Sequence, residues 1–262
     1  MAWIEANGVS LEYFLDGPEG GRPLALIHEL GGSAYSWDTV IPDLVAAGRR
    51  VLRWHWRGTG MSEKIRGELA VDTLCADLAA LMDALGFPQP ADIAGTALGG
   101  GVGLAFAARY PARVRRLAVS SPAIGGGSGI EDMLRARADE VERLGMRPLA
   151  DQSLARSYME KFRTDPAAFA AYRNRWIAND PVSYASHNRM LAAMDETARL
   201  ADIACPTLVI GGTDDPLLTP AMMQPIAAAI PGGEYRELPT GHFLPVNTPR
   251  LFASEVLPWL DT

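Results

Sequence analysis

Short apolar runs alternate along the chain with longer stretches in which apolar residues recur every three or four positions. That rhythm predicts strands and helices in alternation, an α/β arrangement with a mostly parallel sheet covered by helices on both faces. The candidate strands are residues 24–27, 50–54, 91–94, 117–119, 207–210 and 234–238. Ahead of them, residues 3–15 are broken by Asn7-Gly8, a dipeptide suited to a tight two-residue turn, and predict a β-hairpin. Between strands, residues 71–85 set Leu74, Leu78, Leu81, Met82 and Leu85 at helical spacing, with Gly86 as a stop. Asp72 near the start, and Asp77 and Asp83 on the other face, complete an amphipathic helix.

Residues 124–200 break the rhythm. They hold no strand-like run and several helical stretches rich in Arg, Met and aromatics, which predicts a helical lid inserted between two parts of a core, 1–123 and 201–262. Gly125-Gly126-Gly127-Ser128-Gly129 reads as a flexible way into it, and Ile203-Ala204-Cys205-Pro206 as the way back to the sheet. Met133, Met146, Met159, Met190 and Met194 fall in this segment, either as packing residues or as a malleable pocket wall.

Composition narrows the picture. At 262 residues, 48% hydrophobic and 21% charged, the chain has the make-up of an ordinary globular protein. A net charge of −7 disfavours nucleic acid and anionic membrane as partners. Of 24 basic residues only Lys64 and Lys161 are lysine, a skew that follows from a GC-rich genome or from a need to bind anions bidentately. Cys75 and Cys205 are too few for a disulfide scaffold and are expected as free thiols. The start of the chain carries neither a basic nor an apolar leader, and no stretch approaches the ~18 apolar residues that span a bilayer, so a soluble, cytoplasmic protein is expected.

The most informative stretch is Ala94-Gly95-Thr96-Ala97-Leu98-Gly99-Gly100-Gly101, between a predicted strand and a predicted helix. Small residues two positions either side of Ala97 allow the sharp, strained strand-to-helix turn of a nucleophile elbow. Downstream, Ile210-Gly211-Gly212-Thr213-Asp214-Asp215-Pro216 sets a carboxylate at a strand end, and Pro239-Thr240-Gly241-His242-Phe243 sets a histidine after the last strand. Elbow, Asp, His is one chain order of an acyl-transfer triad. Two further loops fit the same plan, Ile27-His28-Glu29-Leu30-Gly31-Gly32-Ser33 and Trp56-Arg57-Gly58-Thr59-Gly60-Met61-Ser62.

On these motifs, and over nearly its whole length, the chain resembles the α/β-hydrolase superfamily, and is most similar to capped 3-oxoadipate enol-lactonase-like and meta-cleavage-product (C–C bond) hydrolases. The resemblance implies an α/β-hydrolase fold, with Ala97 at the nucleophile position, Asp215 as the acid, His242 as the base, and the Leu30 and Leu98 N–H groups as the oxyanion hole. Three positions depart from the family pattern. Ala97 stands in place of Ser, Glu29 in place of the usual Gly after His28, and His55 where Asp is common before R-G-x-G.

Each candidate has a plainer reading. Asp214 and Asp215 suit a turn, and His242 a loop. His28 suits a structural hydrogen bond that shapes the oxyanion loop, whereas His55 reads equally as a supporting partner or as an active-site acid or base. His187 reads as an ordinary helix residue. In the lid, Trp176, Tyr158, Phe162, Phe169, Tyr172 and Tyr184 suit a small or medium organic acid or an aromatic-derived acyl compound. Arg173, Arg175 and Arg189 could clamp a carboxylate or could pair with acidic residues at the surface.

The alanine elbow leaves three explanations open: serine deliberately replaced to trap a substrate, a native alanine beside an Asp-His dyad that activates water, or chemistry other than hydrolysis. The sequence therefore predicts a metal-free, cofactor-free hydrolase of an ester, lactone or activated C–C bond in a small-molecule substrate, acting as a monomer or homodimer. The alternatives are a cofactor-free lyase or dioxygenase using the dyad as base, and a non-catalytic ligand-binding pseudo-hydrolase.

Overall fold

A computed structural model describes residues 1–125 and 129–262; Gly126, Gly127 and Ser128, the middle of the expected glycine passage into the lid, lie outside the described residues. The opening hairpin forms from β1 (Ala2–Ala6) and β2 (Val9–Asp16). Asn7 and Gly8 both take positive φ, 51° and 69°, as a two-residue turn of this hand requires. Six more strands follow: β3 (Arg22–Ile27), β4 (Arg49–Trp54), β5 (Ala91–Thr96), β6 (Val114–Ser120), β7 (Thr207–Gly212) and β8 (Gly233–Leu238). They form one eight-stranded sheet in the order β1-β2-β4-β3-β5-β6-β7-β8, antiparallel at the hairpin edge and parallel from β4 onward.

Strands β5 and β7 are buried along their whole length because both faces of the sheet are covered there. Along β3, Leu24 and Leu26 point into one core and Ala25 and Ile27 into the other. The same two-residue alternation sends Leu208 and Ile210 of β7 one way and Val209 the other. One core is closed by α1 (Ile41–Ala46) and the C-terminal helix, with Trp37, Leu44 and Leu260. The other is closed by α2 (Val71–Ala84) and α3 (Leu98–Arg109), with Leu74, Leu78, Val102 and Phe106.

Asp77 corrects the expected polar face of α2. It is fully buried and accepts Arg57 Nε at 2.6 Å and Asn7 Nδ2 at 2.7 Å, tying α2 to the hairpin turn and to the loop after β4. Asp72 and Asp83 do face outward, on Arg109 and Arg113.

Between β6 and β7 run α4 (Glu131–Leu144), α5 (Ala150–Ser157), α6 (Pro166–Ile177) and α7 (Pro181–Ala193). Asp165 caps α6, and Asp180 caps α7 by accepting the Ser183 N–H. The two ends of this segment are stitched together, Gly125 bridging Asp195 and Glu196 N donating to Ile124 O at 3.1 Å. Its apolar faces meet in a third cluster, where Val141, Leu154, Tyr172, Trp176 and Tyr184 pack with Ala97 and Phe243 of the sheet domain. The helices thus sit over the carboxyl ends of the strands. Met146 is a buried packing residue of this cluster, Met190 and Met194 are buried in the core closed by α2 and α3, and Met133 is exposed.

Candidate active site

The elbow takes the shape its glycines permit. Ala97 has φ 51° and ψ −121°, a conformation that L residues avoid, and is held there by Ala97 N donating to Ser120 O at 2.9 Å and Ala123 N donating to Ala97 O at 3.0 Å. A Cβ at Gly95 would lie 2.4 Å from Gly99 O, and one at Gly99 would lie 2.2 Å from His28 O. Both glycines are therefore required by close backbone approach. Thr96 is no substitute nucleophile, since its hydroxyl is buried and accepts Ser120 Oγ at 2.9 Å.

Opposite the elbow, the loops after β7 and β8 are joined backbone to backbone. Thr213 N donates to Leu238 O at 2.9 Å and Asp214 N to Thr240 O at 3.1 Å. This brings His242 Nδ1 to 2.7 Å from Asp215 Oδ2. The other oxygen, Asp215 Oδ1, accepts the Leu217 and Leu218 N–H groups at 2.8 and 3.1 Å. Burial alone would push the Asp215 carboxyl up, but His242 and these donors hold it below the usual carboxylate range. A carboxylate on Nδ1 fixes the imidazole with Nε2 free for a reacting group. Asp214 is instead the half-exposed partner of Lys161.

Leu98 is the first residue of α3, so its N–H has no partner within the helix. Leu30 lies in the loop after β3, where Gly31 takes φ 76° and Gly32 N donates to Glu29 O at 3.0 Å. Helix α6 presses on this loop. A Cβ at Gly31 would meet Trp176 Nε1 at 2.6 Å, and Asn179 Nδ2 donates to Gly31 O at 3.0 Å.

Glu29 is fully buried. Its Oε1 accepts Ser36 Oγ at 2.7 Å and the Tyr172 hydroxyl at 2.6 Å, and its Oε2 has no partner among the described residues. Burial raises its pKa despite both donors. His28 stacks on Trp56 with centroids 4.2 Å apart, and its Nδ1–H donates to Glu29 O at 2.8 Å. Burial holds it well below the usual imidazole range, so it is a neutral brace for the loop. His55 pairs with Glu12, which also accepts Met61 N at 3.1 Å. Its Nε2 has no partner among the described residues, and burial lowers its pKa against the pull of Glu12.

The sequence-derived candidates therefore divide. Ala97, Leu30, Trp176 and the Phe243 beside His242 meet in one cluster, and Glu29 joins it through Tyr172. Arg173 bonds Asp151 at 2.7 Å, and Arg189 bonds Asp139 and Glu142 at 2.7 Å, so both are committed to carboxylates at the surface. Arg175 lies over the Tyr35 ring at 5.7 Å, with no carboxylate in ion-pair reach among the described residues. Sequence reasoning missed Glu12 because it lies far along the chain from His55, and Ser36, though near Glu29 in sequence, because only the fold of the loop after β3 turns its hydroxyl onto that carboxyl. Tyr172 was read only as an aromatic wall, not as a donor.

The sheet order, the elbow and the Asp-His pair together match one known architecture. A family model described as alpha/beta hydrolase fold matches residues 22–249. The chain belongs to the α/β-hydrolase fold family.

This hydrolase is 32% identical to the enol-lactonase from Burkholderia xenovorans and superposes on its crystal structure with a TM-score of 0.93, each chain covered 100%. It is 28% identical to 3-oxoadipate enol-lactonase 2 of Acinetobacter baylyi, over 95% of this chain and 92% of that protein. It is 30% identical to 2-hydroxy-6-oxo-2,4-heptadienoate hydrolase of Pseudomonas putida, over 74% of this chain and 72% of that protein. Among the described residues no helix is long and apolar enough to cross a membrane.

Proposed function

We propose that this hydrolase cleaves an ester, lactone or activated C–C bond of a small acyl compound, with water as the nucleophile. The observation that carries the reading is an intact Asp215–His242 pair facing an elbow that keeps its strained backbone but ends in a methyl group. His242 Nε2 takes a proton from water as the water attacks the acyl carbon, and Asp215 steadies the imidazolium that results. The developing oxyanion lies against the Leu30 and Leu98 N–H groups, the element of acyl-transfer catalysis that does not depend on the missing hydroxyl. Ala97 leaves room where a serine Oγ would stand.

The helical segment 124–200 acts as a lid whose aromatic faces receive the acyl group. Of Arg173, Arg175 and Arg189, Arg175 is the one without a carboxylate partner among the described residues, and it anchors a substrate carboxylate. The relatives named as enol-lactonases and as a 2-hydroxy-6-oxo-2,4-heptadienoate hydrolase support this substrate class.

Turnover of a panel of enol-lactones, aryl esters and vinylogous 1,5-diketones tests the reading. The expected result is hydrolysis of at least one class, reduced 10³-fold or more (order of magnitude) by His242→Ala. Full activity in that variant would overturn the dyad mechanism, and tight binding without turnover in any variant would point to a ligand-binding protein.

A further inference from the structure

Between α5 and α6, the short turn Glu160–Phe162 meets both of the loops that carry the dyad. On the histidine side, a Cβ at Gly241 would lie 2.7 Å from Phe162 Cε2 and 3.1 Å from Phe162 Cδ2, so the Phe162 ring is seated on the residue before His242. On the aspartate side, Lys161 pairs with Asp214, the residue before Asp215. The Lys161 ammonium also lies 5.0 Å from the centre of the Phe162 ring, within reach of a cation–π attraction, so the two contacts support one another. Phe162 packs against the same cluster that holds Ala97.

The turn is itself well braced. Phe162 N donates to Met159 O at 3.0 Å and Arg163 N to Glu160 O at 2.9 Å. Arg163 fastens it to the end of α5, its Nε donating to Tyr158 O at 2.8 Å and its Nη2 to Leu154 O at 3.1 Å. The histidine loop is pinned on either side of Gly241-His242, where Asp214 N donates to Thr240 O at 3.1 Å and Phe243 N to Asn247 Oδ1 at 3.0 Å. Between those anchors Gly241 is buried, yet its backbone has no hydrogen bond among the described residues. Phe162 and the Asn247 side chain are what lie against it. Backbone held by packing rather than by hydrogen bonds shifts when the packing is removed, and the 2.7 Å bond from His242 Nδ1 to Asp215 depends on where this loop lies.

We infer that Phe162 and Lys161 are positioning residues for the dyad, holding the His242 and Asp215 loops in register from the helical segment. This rests on the hydrolytic reading above. The helical segment then does more than cover substrate, because it also sets the alignment of the base and its acid. The two contacts differ in weight. The Lys161–Asp214 pair is partly exposed, so it contributes little and is screened by salt, whereas the Phe162 ring acts through close apolar contact.

Steady-state kinetics on an ester that the enzyme turns over, together with the downfield Nδ1–H proton resonance of His242 in the free protein, tests the assignment. Phe162→Ala is expected to lower kcat on the order of 10–10²-fold, the cost of about 1 Å of misplacement at a catalytic group, with KM changed less than about threefold. The same variant should shift or broaden the Nδ1–H resonance, and Phe162→Leu should recover most of both. Lys161→Met removes a charge without touching the packing, so it tests the turn even where Phe162→Ala fails to fold. It should lower kcat about two- to fivefold at low salt and match the unaltered protein in about 1 M salt, and Lys161→Arg should behave as unaltered. A raised KM with unchanged kcat would overturn the assignment, since the turn would then only cover substrate. An unchanged Nδ1–H resonance in Phe162→Ala would overturn it whatever the kinetics. If the unaltered protein turns over no ester, the hydrolytic reading fails, and the resonance still decides whether the turn positions the pair.

Discussion

At the scale of single residues, Ala97 carries strain without an evident structural return. A non-glycine residue in this region of backbone space costs about 1–3 kcal/mol, and a structure keeps it only where its surroundings impose it. Here Ser120 O and Ala123 N impose it. Ala97→Gly should therefore stabilise the protein by about 1 kcal/mol, after allowing for the extra freedom of glycine in the unfolded chain, and urea midpoints would show this. Ala97→Ser restores a hydroxyl at a turn already shaped for it, and that variant alone should form a covalent adduct with a fluorophosphonate, visible by intact mass. At this scale the motifs Gly-x-Ala-x-Gly, Asp215 and His242 were readable because each rests on local turn chemistry. The Ser36 and Tyr172 hydroxyls on Glu29 were not, because such a meeting is made by the fold and leaves no spacing in the sequence.

At the scale of elements, α6 and α7 carry the contacts between the helical segment and the sheet domain. Tyr172 and Trp176, four residues apart on α6, share one face and cover the loop that holds Glu29 and Gly31. Trp176→Ala should cost about 3 kcal/mol in unfolding free energy and raise KM more than it lowers kcat, since it hollows the wall and leaves the dyad intact. On α7, His187 packs edge-on to Trp56 with centroids 5.6 Å apart, and burial lowers its pKa to about 4. A histidine whose folded pKa lies below its unfolded one favours folding fully above about pH 6.5, and that contribution fades as pH falls toward 4. The loss should reach about 3 kcal/mol by pH 4 in denaturant titrations, and His187→Gln should make the decline shallower by about one proton. Periodicity located α2 and the strands, foretold helices in 124–200 without placing them, and misjudged Asp77. A carboxylate on the expected solvent face of α2 was buried by Arg57 and Asn7, partners that helical spacing does not reveal.

At the scale of the whole molecule, alternation of apolar strands with amphipathic helices was enough to foretell a parallel sheet with two cores. The closure of the sheet's far end was not legible. There a fully buried Arg49 reaches Asp92 of β5 and Asp261 near the C-terminus, with Arg115 also on Asp92 at 2.7 Å. Removing one member strands a buried charge, so Asp92→Ala should cost about 3–5 kcal/mol and lower Tm. This framework holds the strand ends in fixed register, so that loops far apart in sequence bring Ala97, Leu30 and Phe243, the neighbour of His242, into one cluster. The central claim is that water attacks the acyl group directly at this place. Rapid-mixing hydrolysis of p-nitrophenyl acetate with mass analysis of the quenched protein tests it most directly. The account predicts nitrophenol release that is linear from the first turnover, with no acyl adduct. A burst of about one equivalent accompanied by an acylated residue would contradict it.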